Sequence, residues 1–293
     1  MDFESRNAFF SVRTANVGGS IPSAPTIPAT AEAHAVPVAR RRNIAVPGRQ
    51  RLFGVLKLFP ALWSVQTPTD SLPRQPWTAE IGPRLRRYFP LKLMLITGLA
   101  WLFFIGYFYV LRHPAYAVTV MPLTALDLTI PFQPQWLFVY LSLWLYVGVG
   151  PGLQLTLAEL AVYILWMGAL CTTGLVCFYL WPTEVPPLTL ATSDFPGFAM
   201  LRRVDAAGNA CPSLHVAAAI FTAIRVEDLL RWARSPVLLR LLNVAWFAAI
   251  AYSTLVVKQH VVLDVLVGAL FGVVFALPSL RWRPRRGTGS DAI

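Results

Sequence analysis

Apolar residues run in long blocks along this chain, with little polar punctuation between about residues 90 and 280. The first block, Pro90 to Leu111, is apolar apart from Lys92 near its start and is closed by Arg112. A helix needs about 20 residues to cross the hydrocarbon core of a bilayer, so this block predicts one crossing. Further blocks at 135–150, 157–180, 213–231, 237–256 and 260–280 predict the rest; the second is short, and the fourth carries Arg225, Glu227 and Asp228 near its end. The run from 237 to 280 is too long for a single crossing. The chain must reverse inside it, and Lys258-Gln259 is the only strongly polar pair available for the turn. The expected fold class is all-α, a polytopic membrane protein with about six transmembrane helices in a bundle.

Outside the 90–280 membrane domain the pattern changes. Residues 1–50 are rich in Ala, Pro, Ser and Thr, lack apolar periodicity and include Arg40-Arg41-Arg42, the signature of a disordered basic arm. No apolar core of a secretory signal falls in the first thirty residues, so insertion through the chain's own spans is expected. Within the linker 51–89, the stretch Arg51 to Trp63 mixes bulky apolar side chains with sparse cations, which suits a short helix at the membrane surface, although Pro60 interrupts it. Residues 281–293 form a basic tail.

Composition agrees with a bilayer as the solvent: 56% of the 293 residues are hydrophobic and 13% are charged, with a mean hydropathy of +0.56. The net charge of +11 does not imply a nucleic-acid partner, because the cations flank apolar runs and do not gather on one recognition surface. They report orientation. With a cytoplasmic amino terminus, six spans place Arg84, Arg86 and Arg87, then Arg231, Arg234 and Arg240, then Arg281, Arg283, Arg285 and Arg286 on the cytoplasmic side. The 181–212 loop and the turn at Lys258 fall on the other face. The three cysteines, Cys171, Cys177 and Cys211, have neither disulfide nor metal spacing and read as packing residues.

Two of the four histidines stand in spaced constellations of hydroxyl, imidazole and carboxylate, the groups of acid/base and nucleophilic chemistry. The first is Pro212-Ser213-Leu214-His215, at the start of the fourth span. Proline suits a first helical turn, whose free N–H groups attract anions such as phosphate. Ser213 could then donate to a phosphate oxygen and His215 act as general acid. The second runs from Ser253 through His260 to Asp264. With His260 starting the sixth span, Asp264 lies four residues on along the same helical face, where its carboxylate can accept from one ring nitrogen and leave the other as a nucleophile. A carboxylate a full turn inside an apolar run needs a partner, and His260 is the nearest.

These motifs resemble the second and third signatures of the type-2 phosphatidic acid phosphatase superfamily, P-S-G-H and S-R-x5-H-x3-D. The resemblance extends over about 90–280. It implies a six-span bundle, and with the charge placement the expectation is a multi-pass protein of the plasma (inner) membrane, with both termini cytoplasmic and the site on the outer face. It also implies a lipid phosphate substrate and no metal or other cofactor. His260 would form a phosphohistidine, His215 would protonate the leaving group, Asp264 would orient His260, and Ser213 with Ser253 would hold the phosphate.

The first signature, K-x6-R-P, is not found; Thr254 stands in place of the usual arginine, and Leu214 in place of glycine. A phosphoryl transition state needs cations to stabilise its charge. Lys258 beside His260 is the expected substitute, with Arg202 and Arg203 of the outer loop next, and all three are expected to bind phosphate. Leu214, the Lys258-Gln259 pair and the Pro-rich loop at 182–187 resemble the branch that includes inositol phosphorylceramide synthase, where a head group passes to a lipid alcohol. Two other readings of the residues stand beside these: a non-catalytic lipid-phosphate binder, and a metal centre of His215, His260 and Asp264.

Overall fold

The computed structural model describes residues 76–186, 208–284 and 286. The arm at 1–50, the Arg51–Trp63 stretch, Arg202 and Arg203, and most of the tail lie outside the described residues. Short helix α1 (Trp77–Arg86) leads into α2 (Phe89–Arg112), followed by β1 (Thr119–Val120) and α3 (Ala125–Thr129). A 3-10 turn at Pro134–Trp136 opens α4 (Leu137–Leu141), which is followed by α5 (Leu143–Gly152) and α6 (Leu157–Leu180). After β2 (Thr183–Glu184) come α7 (Leu214–Trp232), α8 (Val237–Val256) and α9 (Val262–Arg281).

The fold is therefore all-α, as the apolar blocks predict, apart from a two-residue parallel pairing of β1 with β2. Four helices, α2, α6, α8 and α9, are long and apolar enough to cross a membrane. The two weaker blocks differ for visible reasons. The second folds as α4 and α5, separated at Ser142. The fourth, α7, is built of residues that face its neighbours and keeps its charges near its carboxyl end; Leu214, Val216, Ala217, Ala219, Phe221 and Val226 are all buried.

Successive helices alternate in direction. At one pole, Lys92 near the start of α2 donates to the carbonyl of Gly152 at the end of α5, Arg84 pairs with Glu159 in the first turn of α6, and Arg225 of α7 reaches the Ser279 carbonyl near the end of α9. At the other pole, the Ala115 N–H donates to the Tyr179 carbonyl, Gln133 N–H to that of Val256 and Ser213 N–H to that of Asp264. Both loops bearing the histidine motifs belong to this second pole.

Small residues let α7 and α9 approach closely. A Cβ on Gly268 would stand 2.4 Å from the Ser213 carbonyl oxygen, and one on Gly272 2.4 Å from that of Ala217 and 2.2 Å from the Ile220 side chain. This is the small-xxx-small packing of membrane helices, where dispersion and interhelical hydrogen bonds replace the hydrophobic drive. Buried polar side chains add to it: the Tyr146 hydroxyl donates to Asn243 Oδ1 at 2.8 Å, and Asn243 Nδ2 to the Ala223 carbonyl at 3.0 Å. On the outside, Met94, Trp101, Leu102, Ile105, Leu165 and Leu270 are exposed. Such an apolar coat would be an aggregation hazard in water and suits lipid contact.

Candidate active site

His215 arrives on α7. Ser213 caps that helix: its backbone is extended (φ −62°, ψ 103°) and its Oγ accepts from the Val216 N–H at 3.4 Å. Pro212 therefore precedes the cap and is not in the first helical turn, a correction to the sequence expectation; the serine is the better cap because its oxygen can take a free N–H. The approach to the motif is anchored in the Pro-rich loop. Buried Thr183 accepts the Ala210 N–H at its carbonyl and the Cys211 N–H at its hydroxyl, at 2.9 and 2.8 Å. The His215 ring stacks on Tyr140 of α4, with centroids 4.7 Å apart, and Trp144 lies edge-on at 6.3 Å.

His260 comes from the α8–α9 turn. It does not begin the last helix, as the sequence reading expects, because that helix starts at Val262. Its nearness to Asp264 is a product of the cap. Asp264, fully buried in the first turn of α9, accepts the Val261 N–H at 3.0 Å through Oδ2, which satisfies one donor of the helix start and sets a negative charge against the positive end of its dipole. The same oxygen lies 3.5 Å from Nδ1 of His260. That is longer than a hydrogen bond and short enough for a small turn of the ring to close it. The His260 N–H holds the turn by donating to the Thr254 carbonyl at 3.1 Å.

The two histidines, 45 positions apart in sequence, meet with ring centroids 5.7 Å apart. Ser213 and Ser253 are buried beside their respective motifs. Their hydroxyls differ in what they have left to offer. Ser213 Oγ accepts from the helix and keeps its proton to donate, whereas Ser253 Oγ donates its one proton to the Ile250 carbonyl at 2.6 Å. Thr254, where an arginine would complete the third signature, is buried and bonds the Ala251 carbonyl. Among the described residues, no group of three or more His, Cys, Asp and Glu side chains is arranged to hold a metal ion.

Lys258 is engaged elsewhere. Its backbone adopts a left-handed conformation (φ 56°), and its Nζ donates to the carbonyls of Asp127 and Ile130, at 3.1 and 2.6 Å. Burial lowers its pKa, with the nearby Asp127 charge opposing. The ammonium thus ties the turn to α3.

Sequence reasoning missed two residues here. Tyr140, in the short second block, provides the face on which His215 stacks. Asp127 accepts the Val262 N–H through Oδ1 at 2.8 Å and the Thr124 N–H and hydroxyl through Oδ2 at 2.8 and 2.6 Å. Burial works to raise its pKa, but these bonds and Lys258 outweigh it and hold the carboxyl below the usual aspartate value. The T-x-x-D spacing of Thr124 and Asp127 is a capping-box signal readable in the sequence; its reach to Val262 is not.

Residues 161–288 match the model of the PAP2 superfamily. The match takes in most of α6 and all of α7 to α9, and so both histidine motifs, but begins well after residue 90 and leaves out α3 and α4. No curated protein and no solved structure matches the chain. The paired histidines and the carboxylate behind one of them thus lie inside what the chain carries over residues 161–288, a PAP2 superfamily domain.

Proposed function

We propose that this protein is an integral-membrane lipid phosphate phosphatase working through a phosphohistidine at the non-cytoplasmic face. One observation carries the reading: His215 and His260 come from separate segments to within 5.7 Å, with Asp264 on the Nδ1 side of His260. In this scheme the Asp264 carboxylate holds the Nδ1 proton, and the Nε2 lone pair attacks phosphorus. As the P–N bond forms, the P–O bond to the lipid breaks and protonated His215 gives its proton to the leaving oxygen. Water then attacks phosphorus, neutral His215 takes its proton, the P–N bond breaks and phosphate departs.

Ser213, whose proton is free, donates to a phosphate oxygen, and Ser253 does so after releasing the Ile250 carbonyl. Arg202 and Arg203 of the outer loop supply positive charge; Lys258 contributes through its remaining N–H and by fixing the turn. The arginine-rich opposite pole supports this orientation, because cytoplasmic segments carry an excess of Lys and Arg.

A head-group phosphotransferase of the inositol phosphorylceramide synthase type is the second reading, favoured by the Tyr140 and Trp144 rings beside His215, an apolar surround that suits a lipid alcohol. Mass spectrometry of purified protein incubated with a phospholipid panel, with and without a lipid alcohol, separates the two. Free phosphate is expected for the phosphatase; a new phosphodiester that needs the alcohol would transfer the assignment. Binding of lipid phosphates with neither product would leave a non-catalytic binder.

Asp127 serves as a positioning residue in this scheme, because its carboxylate holds the first N–H of α9, next to the turn that presents His260. Asp127→Ala is expected to lower kcat by roughly 10- to 100-fold with a smaller change in KM, the size of effect that a displacement of about 1 Å produces. Asp127→Asn keeps an oxygen for the Val262 N–H and should recover most of the loss. An Asp127→Ala enzyme with unchanged kcat would remove this role.

A further inference from the structure

The opposite pole of the bundle holds a small recess lined by Arg84, Arg225, Arg283 and Arg286 with Glu159 and Gln154. Arg225 lies ten positions beyond His215 on α7, or about 15 Å along the helix, so this is a place separate from the histidine pair.

Among the described residues its cations outnumber its carboxylates. Arg84 pairs with Glu159 at 3.0 Å, and Arg283 and Arg286 share the single carboxylate of Asp228. Buried Lys92 donates to the carbonyls of Arg84 and Gly152, and Arg225 to the carbonyl of Ser279 at 2.9 Å. Carbonyls satisfy N–H groups without cancelling charge. Neither do the rings beside them, although the Trp232 ring has Arg84 and Arg286 at 5.1 and 5.3 Å from its centroid. Even with Glu80, one turn before Arg84 on α1, counted in, five cations face three carboxylates among the described residues. Arg84 and Arg225 are buried and the Arg286 side chain is only 11% exposed, so solvent screens this surplus poorly. The Arg286 pKa is pushed down to about 10, by burial first, with Asp228 opposing and Arg283, Arg84 and Arg225 adding to the fall.

A surplus of guanidinium charge around a recess at helix ends is the arrangement that recognises phosphate, through forked donors matched to its oxygens. Basic pockets between membrane helices take phospholipid head groups in this way. We propose that this recess is a second anion site, binding one phosphate group at the pole opposite the histidines. The phosphate belongs either to a phospholipid head group or to a free phosphate ion. The assignment does not depend on the catalytic reading.

Purified full-length protein tests it in two arms. Native mass spectrometry counts phosphatidylglycerol retained from nanodiscs against phosphatidylcholine alone, and calorimetry follows inorganic phosphate. Wild type is expected to retain one phosphatidylglycerol or to bind one phosphate; retention without phosphate binding assigns the head group, and phosphate binding without retention assigns the free ion. Each arginine lost in Arg283→Gln and in Arg283→Gln/Arg286→Gln should weaken binding roughly fivefold, while His260→Ala should leave it unchanged. Arg283→Gln guards against misfolding, since its side chain is 37% exposed and the Arg286–Asp228 pair survives. Wild type with no preference in either arm, equal binding by the double variant, or loss of binding in His260→Ala would each overturn the proposal.

Discussion

His260→Ala is expected to abolish turnover, with a loss of about 10⁴-fold or more, the scale seen when a covalent nucleophile is removed. The size follows from what surrounds the ring. His215 stacks on Tyr140 and faces His260 across 5.7 Å, a placement for a proton donor, and the Asp264 carboxylate is buried behind His260 and engaged with the Val261 N–H. Neither can take over attack on phosphorus. The variant should still fold, because Asp264 keeps its bond to the start of α9 and the backbone N–H of position 260 still reaches the Thr254 carbonyl. Wild type quenched in mid-turnover with radiolabelled substrate should carry an acid-labile, alkali-stable phosphate. The variant should carry none, at unchanged melting temperature. A folded His260→Ala protein that retains wild-type turnover would overturn the phosphohistidine scheme.

The helices were legible because a bilayer imposes a simple pattern. Long apolar blocks with charge at their ends became α2, α6, α8 and α9 nearly to the residue. The block at 135–150 was harder to bound. Its sequence shows the apolar run but not the break at Ser142, which caps both helices while its own backbone angles stay helical (φ −63°, ψ −12°). The last helix starts at Val262, two residues beyond the expected 260, for a similar reason. Val261 and Val262 look alike to a hydropathy pattern; the extended backbone of Val261 and the bond from its N–H to Asp264 distinguish the cap from the helix.

The site divides along the same line. Spacing within a motif predicts nearness between close neighbours, and Asp264 Oδ2 stands 3.5 Å from His260 Nδ1 although His260 precedes the helix and does not share its face. Contacts over long range left no local trace. Lys258 lies two residues from His260 in sequence, yet its ammonium is drawn to the carbonyls of Asp127 and Ile130, more than 120 positions away. A flexible side chain with three donors goes where unpaired carbonyls are, and the end of the short helix α3 presents them. In the proposed scheme the phosphate-binding charge then rests more on Arg202 and Arg203, which lie outside the described residues.

His215→Ala should separate substrates by leaving group. A lipid alkoxide is a poor leaving group and needs a proton as the P–O bond breaks, so loss of the general acid is expected to slow natural lipid phosphates by roughly 10²- to 10⁴-fold. An aryl phosphate such as p-nitrophenyl phosphate leaves as a stabilised anion and needs little help. Its phosphorylation step should fall only severalfold, and the labelled phosphohistidine should then accumulate, since the same histidine activates water in the second step. The aromatic setting predicts what else the variant does. His215 is only partly buried and stacks on Tyr140 without a hydrogen bond that the fold depends on, so the melting temperature should change little. Single-turnover kinetics with both esters make the comparison. An equal loss for the lipid and the aryl ester would remove the general-acid role and leave His215 as a residue that shapes the pocket.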